Sequence, residues 1–228
     1  MKPPIVLSPF KLGLFSECPR CFYSEINYKI HRPKCIFPSL PSGMDKVIKN
    51  YYDQYRIQDK LPPEIRETIK GKLIKEESLL KKWRNNFQGL QYFNKNINVL
   101  LKGILDDCVI DKNIYIPLDY KTRGYELKED TALLYKKQIG VYCYLLYKNG
   151  FKKTNFGYLV FYYPKSVKEN GLVNFNVEPI KVEIDLKEIE NLICGAANCV
   201  NGPEPSPNKD CEFCSWSTKT QLPLKKVS

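Results

Sequence analysis

The spacing of apolar and polar residues changes character near residue 89 and again near residue 130. Ahead of the first change the apolar positions follow a helical period. Ser8 and Pro9 suit an N-cap and first turn, so a short helix is expected to end near Cys18-Pro19. Met44, Val47, Ile48, Tyr51, Tyr52 and Tyr55 predict a helix through MDKVIKNYYDQYR. Pro62-Pro63 opens a further helical stretch, and a Lys- and Glu-rich one covers about 75–86. From Gly89, the segments LQYFN, INVLLKGILDDCVI and NIYIPLDYKT are rich in Ile, Val, Leu and Tyr and read as strands. DTALLYKKQIGVYCYLLYKNG then predicts a helix, capped by Asp130 and stopped by Gly150. FGYLVFYYP and NFNVEPIKVEI read as strands, DLKEIENLICGAANCV as a last helix, and NGPEPSPNKD as a loop leading into CEFCSW. This order predicts a mixed α/β protein with one sheet flanked by helices. The length of 228 residues suits one sizeable core, hence a single domain over 1–228.

Composition narrows the class. An apolar content of 43% and an aromatic content of 13% argue for an ordered globular chain. No apolar run is long enough to span a bilayer, and MKPPIVLSPF lacks the layout of a signal peptide. A cytoplasmic setting is expected, in which the nine cysteines stay reduced and clustered ones read as metal ligands. The net charge of +11 favours a polyanionic partner such as nucleic acid. The single histidine, His31, sits in a loop-like setting and leaves a Cys–His nucleophile without support.

The chemistry concentrates in one predicted hairpin. If its loop is Lys112-Asn113, Asp106 lies opposite Asp119; if it is Asp111–Asn113, Asp107 instead shares the face of Asp119. Asp119 and Lys121 share a face in either case. Facing carboxylates repel, and a divalent cation such as Mg²⁺ would compensate them. Lys121 beside that cation would hold a water or offset charge on a phosphorane-like transition state. These are the minimum parts of a metal-assisted phosphodiesterase.

Two Cys-x-x-Cys pairs, Cys18/Cys21 and Cys211/Cys214, stand near opposite ends of the chain. Four thiolates suit tetrahedral Zn²⁺ or an iron–sulfur cluster and would clasp the ends together. Cys108, Cys143, Cys194 and Cys199 read as core thiols, and Cys35 stays ambiguous. Basic residues interleave with aromatics in KKWRNNFQ and LLYKKQ. Lys82, Trp83 and Arg84 are candidates to grip and stack a single strand, with a solvated helix and inward-packed Trp83 as the alternative. Lys136 and Lys137 lie next to Gln138.

In order along the chain, SPFKLGLFSECPRCFY, GILD, LDYKT, QIGVY and CEFC resemble the motifs of the PD-(D/E)XK nuclease superfamily, in its RecB-like branch. That branch includes CRISPR-associated single-strand exonucleases and helicase-linked iron–sulfur nucleases. The resemblance implies a restriction-endonuclease-like core, with about 44–88 as a helical insertion. It selects Asp106 over Asp107 and makes Asp106, Asp119 and the Tyr120 carbonyl the ligands of Mg²⁺ or Mn²⁺. Lys121 would act on the water, and Gln138 and Tyr142 would face the site. It further implies a 4Fe–4S cluster at the cysteines, with Zn²⁺ as the alternative. Single-stranded DNA is the implied partner, with a helicase or a CRISPR adaptation complex as the setting, in repair or CRISPR-type processing. The branch also carries a metal-binding His on an early helix. Gly43–Val47 puts Val47 in its place, with Asp45 or Asp53 as acidic substitutes. A nuclease fold that binds nucleic acid without cutting it, and an RNA-directed enzyme, are the competing readings.

Overall fold

The computed structural model describes residues 3–33 and 39–220. Strand β1 (Ile5–Leu7) leads into helices α1 (Pro9–Glu17) and α2 (Pro19–Tyr28). Helix α3 (Ser39–Ile57), strand β2 (Lys72–Leu73) and helix α4 (Glu77–Arg84) follow. The strands β3 (Leu90–Asn94), β4 (Val99–Gly103), β5 (Asp107–Asp111) and β6 (Ile114–Thr122) come next. Helix α5 (Lys136–Lys148), strands β7 (Phe156–Val167) and β8 (Val173–Glu183), and helices α6 (Leu186–Asn201) and α7 (Glu212–Thr220) complete the order.

The expected mixed α/β architecture is present, but with two sheets instead of one. A three-stranded sheet runs β1-β4-β3 and a five-stranded sheet runs β2-β5-β6-β7-β8. The division falls inside INVLLKGILDDCVI, which was expected to be one strand. Its β4 half pairs with β1 and β3, and its β5 half pairs with β2 and β6. Gly103 ends β4 against α5: a Cβ there would stand 2.7 Å from Leu145 Cδ1 and 3.1 Å from Tyr142 Cε1. Past the bend, the Leu105 amide donates to the Trp83 carbonyl at 3.1 Å.

In the larger sheet β6 and β7 are parallel, joined by a crossover that contains α5, while the other neighbours are antiparallel. Alternation sorts the side chains to two faces. Val109, Ile116, Leu118, Tyr120, Tyr158, Val160 and Tyr162 pack with Ile48 and Tyr52 of α3. Cys108, Leu159 and Phe161 lie in the other cluster, with Ile139, Tyr142 and Leu145 of α5. The α5 face is therefore the face of Asp119 and Lys121.

Several elements depart from expectation. Pro62-Pro63 opens a run of turns instead of a helix, in which the Ile65 and Arg66 amides both donate to the Pro62 carbonyl, at 3.1 and 3.2 Å. Asp130 does not cap; its side chain makes no capping bond, a 3₁₀ turn (Thr131–Tyr135) precedes α5, and Thr131 Oγ1 accepts from the Lys128 amide at 2.9 Å. The Cys18-Pro19 boundary is real, since α1 is capped by Ser8 and stops there. But Pro19 starts α2 at once, its missing amide being harmless in a first turn. CEFCSW lies in α7. Cys35 lies outside the described residues. No helix among the described residues is long and apolar enough to cross a membrane.

Candidate active site and cysteine centre

The hairpin register resolves the choice between the two aspartates. Asp111 pairs with Ile114, so the loop is Lys112-Asn113. Both loop residues have positive φ, 48° and 64°, as a type I′ turn requires. Asp107 pairs with Leu118, and continuing that register by one step sets Asp106 opposite Asp119. Asp107 turns to the α3 face instead. It is fully buried, and its Oδ2 accepts from Arg56 Nη2 at 2.6 Å, Tyr120 Oη at 2.7 Å and Arg84 Nη2 at 3.0 Å.

Asp119 is 1% exposed. Lys121 Nζ stands 2.5 Å from its Oδ2, yet that oxygen makes no directional hydrogen bond among the described residues. Burial raises the Asp119 carboxyl to about 7; the Lys121 ammonium opposes the rise and the charge of Asp106 adds to it. Lys121 Nζ also lies 4.7 Å from the centre of the Tyr135 ring. Asp106 is more open. Its Oδ2 takes a long contact of 3.4 Å from the Tyr120 amide, and its Oδ1 is held at 2.7 Å by Lys49 Nζ. Lys49 was not singled out from the sequence. Nothing in its helical spacing marks it, because only the packing of α3 brings it to the hairpin.

Helix α5 closes the site. Gln138 Nε2 donates to Tyr142 Oη at 2.9 Å, one turn apart on one helix face. Tyr142 is buried, and burial followed by the charges of Asp119 and Asp106 pushes its hydroxyl well up, so it stays protonated. Five residues singled out from sequence (Asp106, Asp119, Lys121, Gln138 and Tyr142) thus converge beside the end of the hairpin.

Of the early-helix substitutes, Asp45 accepts from Lys49 at 2.7 Å, while Asp53 is held by Arg84 at 2.9 Å and Arg56 at 3.0 Å. Val47 points to solvent. Two expected DNA contacts are used internally. Trp83 is 2% exposed, with its ring edge-on to Tyr115 and Phe151. Arg84 binds Asp53 and Asp107, and its Nε donates to the Asp106 carbonyl at 2.7 Å. Lys82 is exposed beside Phe87 and Gln88, on a different cleft from the aspartate pair. Lys136 faces Glu188 at 3.7 Å. Lys137 lines a cleft of about 810 Å³ with Gln138, Phe10, His31 and Arg32.

The four cysteines of the two pairs come together, with all their sulfurs within 4.8 Å of one another. Cys21 Sγ lies 3.5 Å from Cys214 and 3.6 Å from Cys211, and Cys18 lies 3.8 Å from Cys214. Burial pushes the Cys18 thiol up, but hydrogen bonds from the Asn208 and Cys21 backbone outweigh it and bring it down to about 7. Arg32 Nη2 reaches Cys211 Sγ at 3.5 Å, and its guanidinium lies 4.4 Å over the Phe213 ring. A tetrahedral ion with metal–sulfur bonds of about 2.3 Å sets its sulfurs about 3.8 Å apart. In a 4Fe–4S cluster each thiolate binds a different iron of the cube, which holds the sulfurs wider. The donor set therefore fits one tetrahedral ion. Cys194 and Cys199 stay outside the group.

The carboxylate pair passes a similar test. Asp119 Oδ2 is buried without a hydrogen bond, and Asp106 shares its strand pairing, a donor set of hard oxygens suited to Mg²⁺ or Mn²⁺. The family model of the PD-(D/E)XK nuclease superfamily matches residues 44–218, which span both aspartates, Lys121 and the Gln138–Tyr142 pair. No curated protein matches the chain.

Proposed function

The chain belongs to the PD-(D/E)XK nuclease superfamily, and from that premise we propose that it is a Mg²⁺- or Mn²⁺-dependent deoxyribonuclease working as an exonuclease on single-stranded ends. The observation that carries the reading is the cross-strand placement of Asp106 opposite Asp119, with Lys121 on the same face. In this reading the whole chain is one nuclease-like domain, working in the cytoplasm on DNA in repair or CRISPR-type processing.

Asp106, Asp119 and the Tyr120 carbonyl would hold the divalent ion. When bound, it would supply Lewis acidity and lower the pKa of a water. The protein's own groups do the rest. Lys121, 2.5 Å from Asp119, is placed to orient the attacking water and to offset charge growing on the phosphoryl oxygens. Its ammonium cannot serve both roles at full strength while it neutralises Asp119, so ligand binding has to turn it toward the phosphate. Tyr142 stays protonated, and Gln138 fixes the direction of its hydroxyl. That hydroxyl is a donor beside two carboxylates and suits a phosphate oxygen. Lys137, next to Gln138, offers the strand one basic contact in a cleft whose other charged groups, Arg32 with Glu17 and His31 with Glu25, are paired with each other.

Trp83 and Arg84 have no part in DNA binding in this proposal. Arg84 and Arg56 instead fix Asp107 and the backbone at Asp106. In this proposal the cysteine centre takes Zn²⁺ ahead of the 4Fe–4S cluster that the family resemblance implies, a reading supported by the close spacing of its sulfurs.

The test is cleavage of end-labelled single- and double-stranded DNA, and of RNA, with Mg²⁺ or Mn²⁺. Asp119→Ala and Lys121→Ala should each lower the rate at least about a hundredfold with the fold retained. Absence of cleavage by folded, metal-loaded protein on every substrate would leave a nucleic-acid-binding module.

A further inference from the structure

Helix α3 puts an ammonium between two of the carboxylates at the site. Lys49 Nζ sits 2.7 Å from Asp106 Oδ1 and 2.7 Å from Asp45 Oδ2. Two charged contacts pin it, and its side chain is only 20% exposed. Lys121 differs: among the described residues its one carboxylate partner is Asp119, and the contact lacks hydrogen-bond direction. Lys121 thus has one carboxylate to give up when it turns toward a ligand, whereas Lys49 is held by two.

Charge points the same way. Asp45, Asp106 and Asp119 face Lys49 and Lys121, which leaves one net negative charge when all are ionised. The neighbouring Asp53, Asp107, Arg56 and Arg84 balance among themselves. One divalent ion together with the single negative charge of a phosphodiester brings the cluster to neutrality. A second divalent ion would leave it two charges positive, in a site where one carboxylate is 1% exposed and stray charge is poorly solvated.

We propose that Lys49 is the resident cation of this site: it occupies Asp106 Oδ1 in place of a second divalent ion, so that the nuclease works with one. The inference rests on the nuclease reading and specifies its metal number. Asp106 keeps Oδ2, the oxygen that reaches the Tyr120 amide, for the ion it shares with Asp119. Lys49 is a positioning residue here, acting through Asp106.

The experiment is Mn²⁺ titration of the full chain with its cysteine centre intact, read by electron paramagnetic resonance and calorimetry. Asp119→Ala identifies which ions belong to the site. The wild type should bind one Asp119-dependent Mn²⁺, and Lys49→Arg should do the same. Lys49→Ala, which frees Asp45 and Asp106 together, should admit a second ion or bind the first roughly tenfold tighter, as carboxylate charge count tunes such sites. Lys49→Gln, which keeps the side-chain volume, stands in if Lys49→Ala is unfolded by circular dichroism. Two Asp119-dependent ions in the wild type would overturn the proposal and leave the nuclease reading standing. So would unchanged ion count and affinity in the charge-removing variants Lys49→Ala and Lys49→Gln. If no bound ion depends on Asp119, the nuclease reading fails first, and the inference with it.

Discussion

Asp119 shows how far one residue can be read from its neighbours in sequence. The Asp-x-Lys spacing placed Lys121 on its face, and the two-residue turn places Asp106 across from it. What the spacing could not supply is its burial. Folded Asp119 keeps its proton up to about 7, whereas the unfolded chain releases it near the ordinary carboxylate value of 3.8. Between those values the folded state binds more protons, so this residue makes the metal-free protein less stable as pH rises through that window. Thermal denaturation against pH should show the loss in wild type and a flatter profile in Asp119→Asn. Metal binding must also release that proton, so Mg²⁺ affinity should climb up to about tenfold per unit below pH 7 and level off above it. Isothermal titration at several pH values measures this, and an unchanged affinity between pH 5 and 7 would count against Asp119 as a ligand.

At the scale of elements, the site is the meeting of one hairpin with two helices. Gly103 lets α5 lie close to the end of β4, which brings Tyr142 toward the aspartates. Gly103→Ala would press a methyl onto Leu145 and Tyr142 and should cost about 1–3 kcal/mol, measured by urea unfolding. Because the displaced side chains include Tyr142, cleavage should fall as well. On the opposite face, Asp107 locks α3 and α4 to the hairpin through Arg56 and Arg84. Asp107→Ala would leave two arginines without that buried partner and should destabilise the protein by about 3–5 kcal/mol. A loss below about 1 kcal/mol would show that water replaces the carboxylate easily. The network also explains why Arg84 misled the sequence reading. A Lys/Arg run on an amphipathic helix looks like a solvated or DNA-binding face, and only the position of Asp107 shows that one of those cations turns inward.

At the scale of the whole molecule, Cys18 and Cys21 on one side and Cys211 and Cys214 on the other close almost the full chain into a loop. With zinc in this centre as proposed, its removal should lower the melting temperature, and the purified protein should contain zinc by elemental analysis, without the visible absorption of an iron–sulfur cluster. A Cys211→Ser, Cys214→Ser variant should melt earlier than wild type and lose its response to a chelator. If iron with matching sulfide is found instead, the sulfurs must spread on loading, and the assignment of zinc is wrong. The net charge of +11 belongs to this scale too: DNA binding should weaken steeply with salt, and Lys137→Ala should reduce the slope by about one phosphate contact.

The sequence by itself determined the alternation of helices and strands from residue 89 onward, the carboxylate–lysine pair, the α5 face bearing Gln138 and Tyr142, and the two cysteine pairs. Each is a matter of period or short spacing, and local backbone geometry converts such spacing directly into shared faces. Tertiary structure decided the rest. It split one apparent strand between two sheets at Gly103, turned Trp83 and Arg84 inward, and brought cysteines some 190 residues apart into one group. It also set Lys49 on Asp106. These outcomes depend on which surfaces pack together, and packing is settled by the summed burial of whole elements, which no local pattern of residues encodes.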